Sequence, residues 1–596
     1  MTIKKEYIMK KYYFIVMTCC ALAMAQSCKK ASFLDPKIEP LTEAKVFADS
    51  TLTLNFLTDM YAYTGMDIVP YASTYLGSMN DNFETLTTNV SAGYSSSPQI
   101  PLLTSSLTSN SHLFNAYYLA YYKKIRAANI FMKNAPSSPL SAARKTRLIA
   151  EARFMRAWYY FALVRLYGGV QLMGDEVTDE LPSYEYKRNT YKECIDYVVK
   201  ELDEAVKNLP TSLVLEASDY GRVTSGACKA LKARVLVTAA SPLYNGKSTG
   251  TGSIVPLIAY SPTYDQSLWQ KAADACKAVL DLPEYALVED NTTQPGLGFK
   301  NMFILDRKNT EYIFVFNKGN SKELETMWFP WSRSGISNSL AYSNPSENVV
   351  KAFGMKDGKA ITASSSAYPY NPANPYANRD PRFDNSIIYN QALVCNRTTT
   401  AMQPVDIYFN KATNALTGDG ILQYHTNTGY YSRKMCNDIA PYATLSIKRA
   451  YPMIRLAEAV LGYAEALNEL GQTELAVAQV IKIRKRAGIL AGADNRYGIA
   501  VGINQTDLRT LIQNEYRVEF FQEGHWYYDT RRWRTAEVTE KQSVDATYIV
   551  KELDGTFTYS TRVYINSAFQ NTMYFAPFPL SEVLKGKGSL IQNPGW

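Results

Sequence analysis

Between Glu515 and Trp533 the sequence EYRVEFFQEGHWYYDTRRW crowds Glu515, Arg517, Glu519, Glu523, His525, Asp529, Arg531 and Arg532 into one short stretch. Carboxylates beside a histidine are the parts of general acid–base catalysis, and a carboxylate pair across a glycosidic bond would hydrolyse it. The same residue types also build a structural ion-pair network. Glu515 and Glu519 stand four apart, on one face of a helix, and arginine reaches far enough to tie that face to its neighbours. Arg455, Glu458 and Glu465 read the same way. Motifs this dense stitch helices together, so the expected role is structural and no enzymatic activity is expected.

Other chemistry has little to stand on. The three histidines, His112, His425 and His525, lie far apart, and no Cys/His pair has ligand spacing. Asp81 with Glu84, and Asp306, offer oxygen atoms to calcium but lack a loop signature. There is no G-x-S-x-G elbow and no phosphate-cradling glycine loop. No metal site and no cofactor is expected.

Binding is better supported. In MWFPWSRSG, Met327 to Gly335, three large rings (Trp328, Phe329 and Trp331) stand beside Pro330 in a polar stretch without helical or strand period. A pyranose presents an apolar C–H face that stacks on an aromatic ring, and its hydroxyls need a few fixed donors and acceptors. Arg333, Asp81 and Asn82 are of the right type. The competing role for each tryptophan is to plug the loop into the core, because tryptophan is highly buried on average.

The elements that must position these residues are mostly helices. Apolar residues recur at three and four from Asn115 to Asn134 and from Arg147 to Gly168. Within the second, Ala150, Ala152 and Ala157 alternate with Phe154, Trp158, Phe161 and Tyr167, which lets another helix approach closely. Gly168 and Gly169 end it. Further helical segments are expected at Tyr191–Leu209, Thr224–Ala240, Trp269–Leu280, Tyr451–Leu470 and Glu474–Ala487. These hairpins resemble tetratricopeptide units, though their spacing is too irregular for a tandem array. Between them, residues 80–113, 291–346 and 360–430 are rich in Asn, Ser, Thr, Pro and Tyr and read as long loops with short strands. Loops of that length in a compact domain are usually functional. Tyrosine is unusually abundant, at 45 residues, many in polar surroundings suited to displaying a ring.

Composition narrows the function class. The chain of 596 residues carries a formal charge of +8. Lys10 and Lys11 precede an apolar run from Tyr12 to Ala25, too short for a transmembrane span of about 20 residues, and the pattern is that of a secretory signal. Small residues before Cys28 resemble a bacterial lipobox, so residues 1–27 are expected to be removed and Cys28 to be lipidated. Met9 makes a tighter start than Met1, and the first eight residues are expected to be a start-site artefact. Without residues 1–27 the charge falls to +5, no basic block remains, and nucleic acid is not an expected partner. Five cysteines remain after Cys28, an odd number, so no disulfide scaffold is expected; Cys194, Cys228 and Cys276 read as small core residues.

Several stretches together resemble the RagB/SusD family of Bacteroidetes outer-membrane lipoproteins. They are AEARFMRAWYYFALVRLYGGVQL (150–172), GRVTSGACKALKARVLVTAASPLYN (221–245), NRDPRF (378–383), PMIRLAEAVLGYAEALNELG (452–471), IRKRAGI (483–489), the 515–533 motif and IQNPGW (591–596). They run in family order from FLDPKIEP (33–40) to the last residue. The resemblance implies a mainly α SusD-like fold in which four tetratricopeptide-like hairpins carry a loop-rich ligand-binding region with short strands. It implies a lipidated tether at 28–40 and one SusD-like domain over 41–596, with an early loop (71–113) and a mid-chain region (291–430) as ligand face. By the same analogy Tyr71, Tyr75, Asp81, Asn82 and Tyr94 join Trp328, Phe329, Trp331 and Arg333 as glycan-binding candidates. Tyr368, Tyr370 and Tyr376 form a third group, while Arg379, Asp380 and Arg382 look structural. The implied function is capture of oligosaccharide or polysaccharide on the outer face of the outer membrane and delivery to a SusC-like TonB-dependent transporter, without catalysis. The alternative is a transporter lid for peptide or another nutrient. Lys29 and Lys30 depart from the family in one respect, since surface-exported members often carry acids after the lipidated cysteine.

Overall fold

Two helices, α1 (Phe114–Asn134) and α2 (Ala142–Tyr167), open the scaffold of the computed structural model, which describes residues 41–67, 82–92, 100–110, 113–177, 187–305, 308–335, 343–422 and 425–596. Helix α2 starts at Ser141, whose hydroxyl accepts from the Arg144 N–H. It ends at Gly168, whose φ of 77° and whose approach to the Leu257 carbonyl leave no space for a Cβ. From Ala150 to Tyr167 nearly every side chain of α2 is buried. A helix buried on every side is one surrounded by others, and its charged side chains Glu151, Arg156 and Arg165 are held in ion pairs.

Those others follow in chain order. Helix α3 (Tyr191–Ala205) packs on α2, α4 (Ser225–Ala240) on α3, and α5 (Ser267–Leu280) on α4. After a long insertion, α6 (Leu456–Glu469) packs on α5 and is followed by α7 (Thr473–Arg486) and α8 (Gln505–Glu519), with the short α9 (His525–Arg532) behind. Taken in pairs, α1 to α8 form four helical hairpins, the third closed across the insertion. At Gly462 of α6 a Cβ would stand 3.1 Å from Cys276 Sγ of α5 and 3.3 Å from Val237 of α4, so a hydrogen at that position lets three helices converge.

The insertion and the segment after α9 carry these strands. Strand β1 (Tyr312–Ser321) pairs antiparallel with β6 (Ile447–Arg455). A small hairpin joins β2 (Leu393–Cys395) to β3 (Met402–Pro404). Strands β4 (Phe409–Asn410), β5 (Ala415–Leu416), β7 (Val544–Lys551) and β8 (Phe557–Ile565) form a sheet in the order β8-β7-β4-β5. The fold is thus mainly α with a loop-rich, strand-poor second layer.

Two expectations need correcting. Tyr451–Arg455 is strand, not the first turn of a helix, because Pro452 lacks the N–H a helix interior needs and the segment pairs with β1. The tyrosines are also less displayed than their polar surroundings suggested: Tyr117, Tyr121, Tyr159, Tyr160, Tyr167 and Tyr191 are among the largest fully buried side chains. The five described cysteines, including Cys395 and Cys436, are all free and buried.

Candidate functional site

The charged motif of α8 and α9 is sealed inside the protein. Arg455 donates to Glu523, Glu519 and Glu311 at 2.7 to 2.8 Å. Arg486 bridges Glu311 and Glu519, Arg382 joins Asp380, Glu515 and Glu519, and Arg484 and Lys434 close on Glu515 and Glu523. Five cations (Arg382, Arg455, Arg484, Arg486, Lys434) face five carboxylates (Asp380, Glu311, Glu515, Glu519, Glu523), so the buried cluster is neutral, as its desolvation cost demands. Burial opposes the charge on Glu519, but Arg486, Arg455 and Arg382 outweigh it and hold that carboxyl well below the usual range. Burial brings Lys434 down to about 8 against the pull of Glu523.

His525 is no better placed for catalysis. Burial pushes its imidazole well below the ordinary value, neighbouring arginines add to the effect, and the ring stacks on Phe520 at 4.3 Å. Asp529, 3.9 Å away, is raised to about 6 by burial. The space lined by Glu458, Glu523, His525 and Asp529 measures about 50 Å³. That volume admits water, whereas ligand pockets run to about 300–1,000 Å³. Glu458 pairs with Arg234 of α4, Asp529 with Arg532 of its own helix, and Glu523 ties the turn between α8 and α9 to Lys434 and Arg455. Among the described residues no group of three or more His, Cys, Asp and Glu side chains could hold a metal ion.

The aromatic triplet divides. Trp328 is 0% exposed and Phe329 3%, both within the main hydrophobic core, so neither ring face is available to a ligand. Pro330 then turns the chain, and Trp331, 45% exposed, stands at the start of a one-turn helix, Trp331–Ser334. Two anchors fix that turn. Ser332 donates its N–H (2.9 Å) and its hydroxyl to the carboxylate of Asp419. Arg333, only 5% exposed, donates to the Gln403 and Pro404 carbonyls of β3 at 3.0 and 2.7 Å. Arg333 is therefore a clamp rather than a ligand donor. Burial raises the Asp419 carboxyl, opposed by the two Ser332 bonds and by Arg333. Gly418 lies against the indole, and exposed Leu393 and Met402 on the β2–β3 hairpin extend the apolar character of this region.

Asn82 is also structural. It is fully buried, its Oδ1 accepts from the Glu84 N–H, and its Nδ2 donates to the Gln522 carbonyl at 3.0 Å. Tyr71, Tyr75, Asp81, Tyr94, Asp306, His112 and Cys28 lie outside the described residues. Of the third group, Tyr376 is buried, while Tyr368 and Tyr370 are half-buried under Lys356 and Arg379. The early and mid-chain regions do meet where they are described: Val90–Ser91 pairs with Asn344–Pro345, and Asn427 donates to the Ala92 carbonyl. What the sequence left unmarked is Asp419, whose T-G-D-G setting signals only a turn. Its role emerges from contact across 87 residues.

Known proteins share this architecture. The SusD family matches residues 310–596, and the family described as "Starch-binding associating with outer membrane" matches residues 32–237. SusD-like protein P38 of Formosa agariphila is 24% identical over 437 residues, covering 73% of this chain and 75% of its own. A crystal structure of a SusD-like protein from Bacteroides fragilis superposes with a TM-score of 0.73 at 24% identity, over 92% of this chain and 98% of that one. A laminarin-binding SusD-like protein superposes with a TM-score of 0.57 at 19% identity, over 92% of this chain and 100% of that one. With a family match in each half and the SusD-like fold along nearly all its length, the chain belongs to the SusD/RagB family, a family of carbohydrate-binding proteins.

Proposed function

We propose that this protein captures oligosaccharide at the outer surface of the outer membrane and delivers it to a SusC-like TonB-dependent transporter, over which it acts as a lid. It binds without turning its ligand over. Cys28 is the lipid anchor, residues 28–40 are the tether, and residues 41–596 are the single SusD-like domain. Acyl chains contribute about 0.8 kcal/mol per buried methylene, so two or more hold a protein on a membrane without spanning it.

The observation that carries the glycan reading is Trp331: an indole left open to solvent on a turn clamped from both sides. A preformed aromatic platform loses little entropy on binding a sugar face. The family supports the ligand class, as does the laminarin-binding relative in fold. Tyr71, Tyr75, Asp81 and Tyr94 are proposed to complete the ligand face. The delivery role is tested by affinity purification of the tagged, lipidated chain from detergent-solubilised outer membranes. A TonB-dependent transporter in stoichiometric yield supports the lid role, and recovery of the chain alone overturns it.

A further inference from the structure

Beside the Trp331 turn stands a cation, Arg397, with no counter-charge among the described residues. Gly335 closes that turn with a φ of 66° and donates its N–H to the Trp331 carbonyl at 2.7 Å. A Cβ built on Gly335 would fall 2.1 Å from Arg397 Cζ and 2.2 and 2.4 Å from its Nη1 and Nε, so the guanidinium lies in the space a side chain at 335 would fill. Only glycine leaves that seat open.

The backbone that bears Arg397 is held as well. It belongs to the turn between β2 and β3, where Asn396 Oδ1 accepts from the Thr398 N–H at 3.0 Å and Asn396 Nδ2 donates to Gln403 Oε1 at 2.8 Å. The Arg397 carbonyl accepts from the Ala443 N–H at 3.0 Å. The side chain is nonetheless exposed, and its guanidinium makes no hydrogen bond or ion pair with any other described residue. The acids of the region are committed elsewhere, Asp419 to Ser332 and Asp406 to the Gln391 amide. Residues 336–342, which follow Gly335, contain neither Asp nor Glu.

An arginine fixed in one place loses rotamer freedom, and an ion pair ordinarily offsets that loss. Here none does, which leaves a pre-placed fork of donors of the kind that meets a carboxylate or a sulfate through two parallel bonds. Four residues separate Gly335 from Trp331, about 6 Å along a helix, the scale of one sugar ring. We infer that the glycan stacked on Trp331 is acidic, and that Arg397 holds the carboxylate or sulfate ester of the sugar next to the stacked one. The inference rests on the reading of Trp331 as the glycan platform and names the class of glycan that platform takes.

Isothermal titration of the full chain with oligogalacturonate, oligomannuronate and carrageenan oligosaccharides, each beside its carboxyl-reduced or desulfated neutral counterpart, tests this and separates carboxylate from sulfate. The expected result is that at least one acidic probe binds about ten-fold or more tightly than its neutral counterpart, that Trp331→Ala weakens it, and that Arg397→Gln removes the difference. Arg397→Lys keeps the net charge but loses the fork, so it should recover only part of the gain. An unchanged melting temperature establishes that these variants are folded. Equal affinity for acidic and neutral members, both weakened by Trp331→Ala, would overturn the inference and leave the Trp331 reading standing. An acidic preference that survives Arg397→Gln, or that Arg397→Lys restores in full, would also overturn it. Binding to none of the probes would overturn it while the Trp331 reading stands or falls on laminarin and starch fragments, and binding indifferent to Trp331→Ala would overturn both.

Discussion

Ser332 gives both its backbone N–H and its hydroxyl to the two oxygens of one carboxylate, that of Asp419. This double bond of loop to loop sets the direction of the neighbouring Trp331. If Asp419 positions the indole without touching ligand, Asp419→Ala should weaken oligosaccharide binding through the platform. Losing a hydrogen-bond pair to a charged group costs about 1.5–3 kcal/mol, or about ten- to a hundred-fold in affinity if all of it falls on the bound geometry. Asp419→Asn keeps one acceptor and should recover part of the loss, as measured by titration of both variants with the same glycan.

Trp328 and Trp331 stand three residues apart and should respond oppositely. Trp328→Ala empties a fully buried site and should destabilise the fold by about 3–5 kcal/mol. Trp331→Ala removes an exposed ring and should leave stability within about 0.5 kcal/mol. Urea unfolding of the two variants separates the core residue from the displayed one.

The buried cluster around Glu519 sets an acid limit. The folded-state values of Glu515, Glu519 and Glu523 are all depressed, so unfolded chains bind more protons as pH falls, and the stability these groups confer is present above their ordinary value of 4.5 and lost below it. The melting temperature should therefore hold near neutrality and fall steeply below about pH 4.5. Glu519→Gln should cost about 3–5 kcal/mol at pH 7 by leaving Arg455 and Arg486 short of a counter-charge, and should flatten the acid slope.

Close packing at Gly462 predicts a size limit. Gly462→Leu must displace Cys276 and Val237 and should cost about 1–3 kcal/mol, whereas Gly462→Ala sets the gain in helix propensity against a contact tightened to 3.1 Å and should be nearly neutral. Thermal melting of the pair checks the convergence of α4, α5 and α6.

Much of this was legible in the residues themselves. Periodicity located α1 to α5 and α7, because helices that bury a face write it at three and four. The catalytic-looking motif reads as scaffold from its density, and its acids are indeed buried in ion pairs, but the cations that pair Glu515, Glu519 and Glu523 come from Arg382, Arg455, Arg484, Arg486 and Lys434, outside the motif. Two features escaped. Tyr451–Arg455 continues an apolar helical pattern, and only Pro452 warned that the stretch is still strand. The three rings of 328–331 carry the same residue types, and which of them faces water depends on the turn at Pro330 and on Asp419, far along the chain.

The central claim is that an exposed indole on a clamped turn binds glycan. Isothermal titration of the soluble chain from Lys29 onward against a panel of oligosaccharides, laminarin and starch fragments included, tests it most directly when repeated with Trp331→Ala. The account predicts binding to at least one glycan and loss of about 1–3 kcal/mol, about five- to 150-fold in affinity, on removing the ring. Binding that survives Trp331→Ala unchanged, or no binding across the panel, would contradict it.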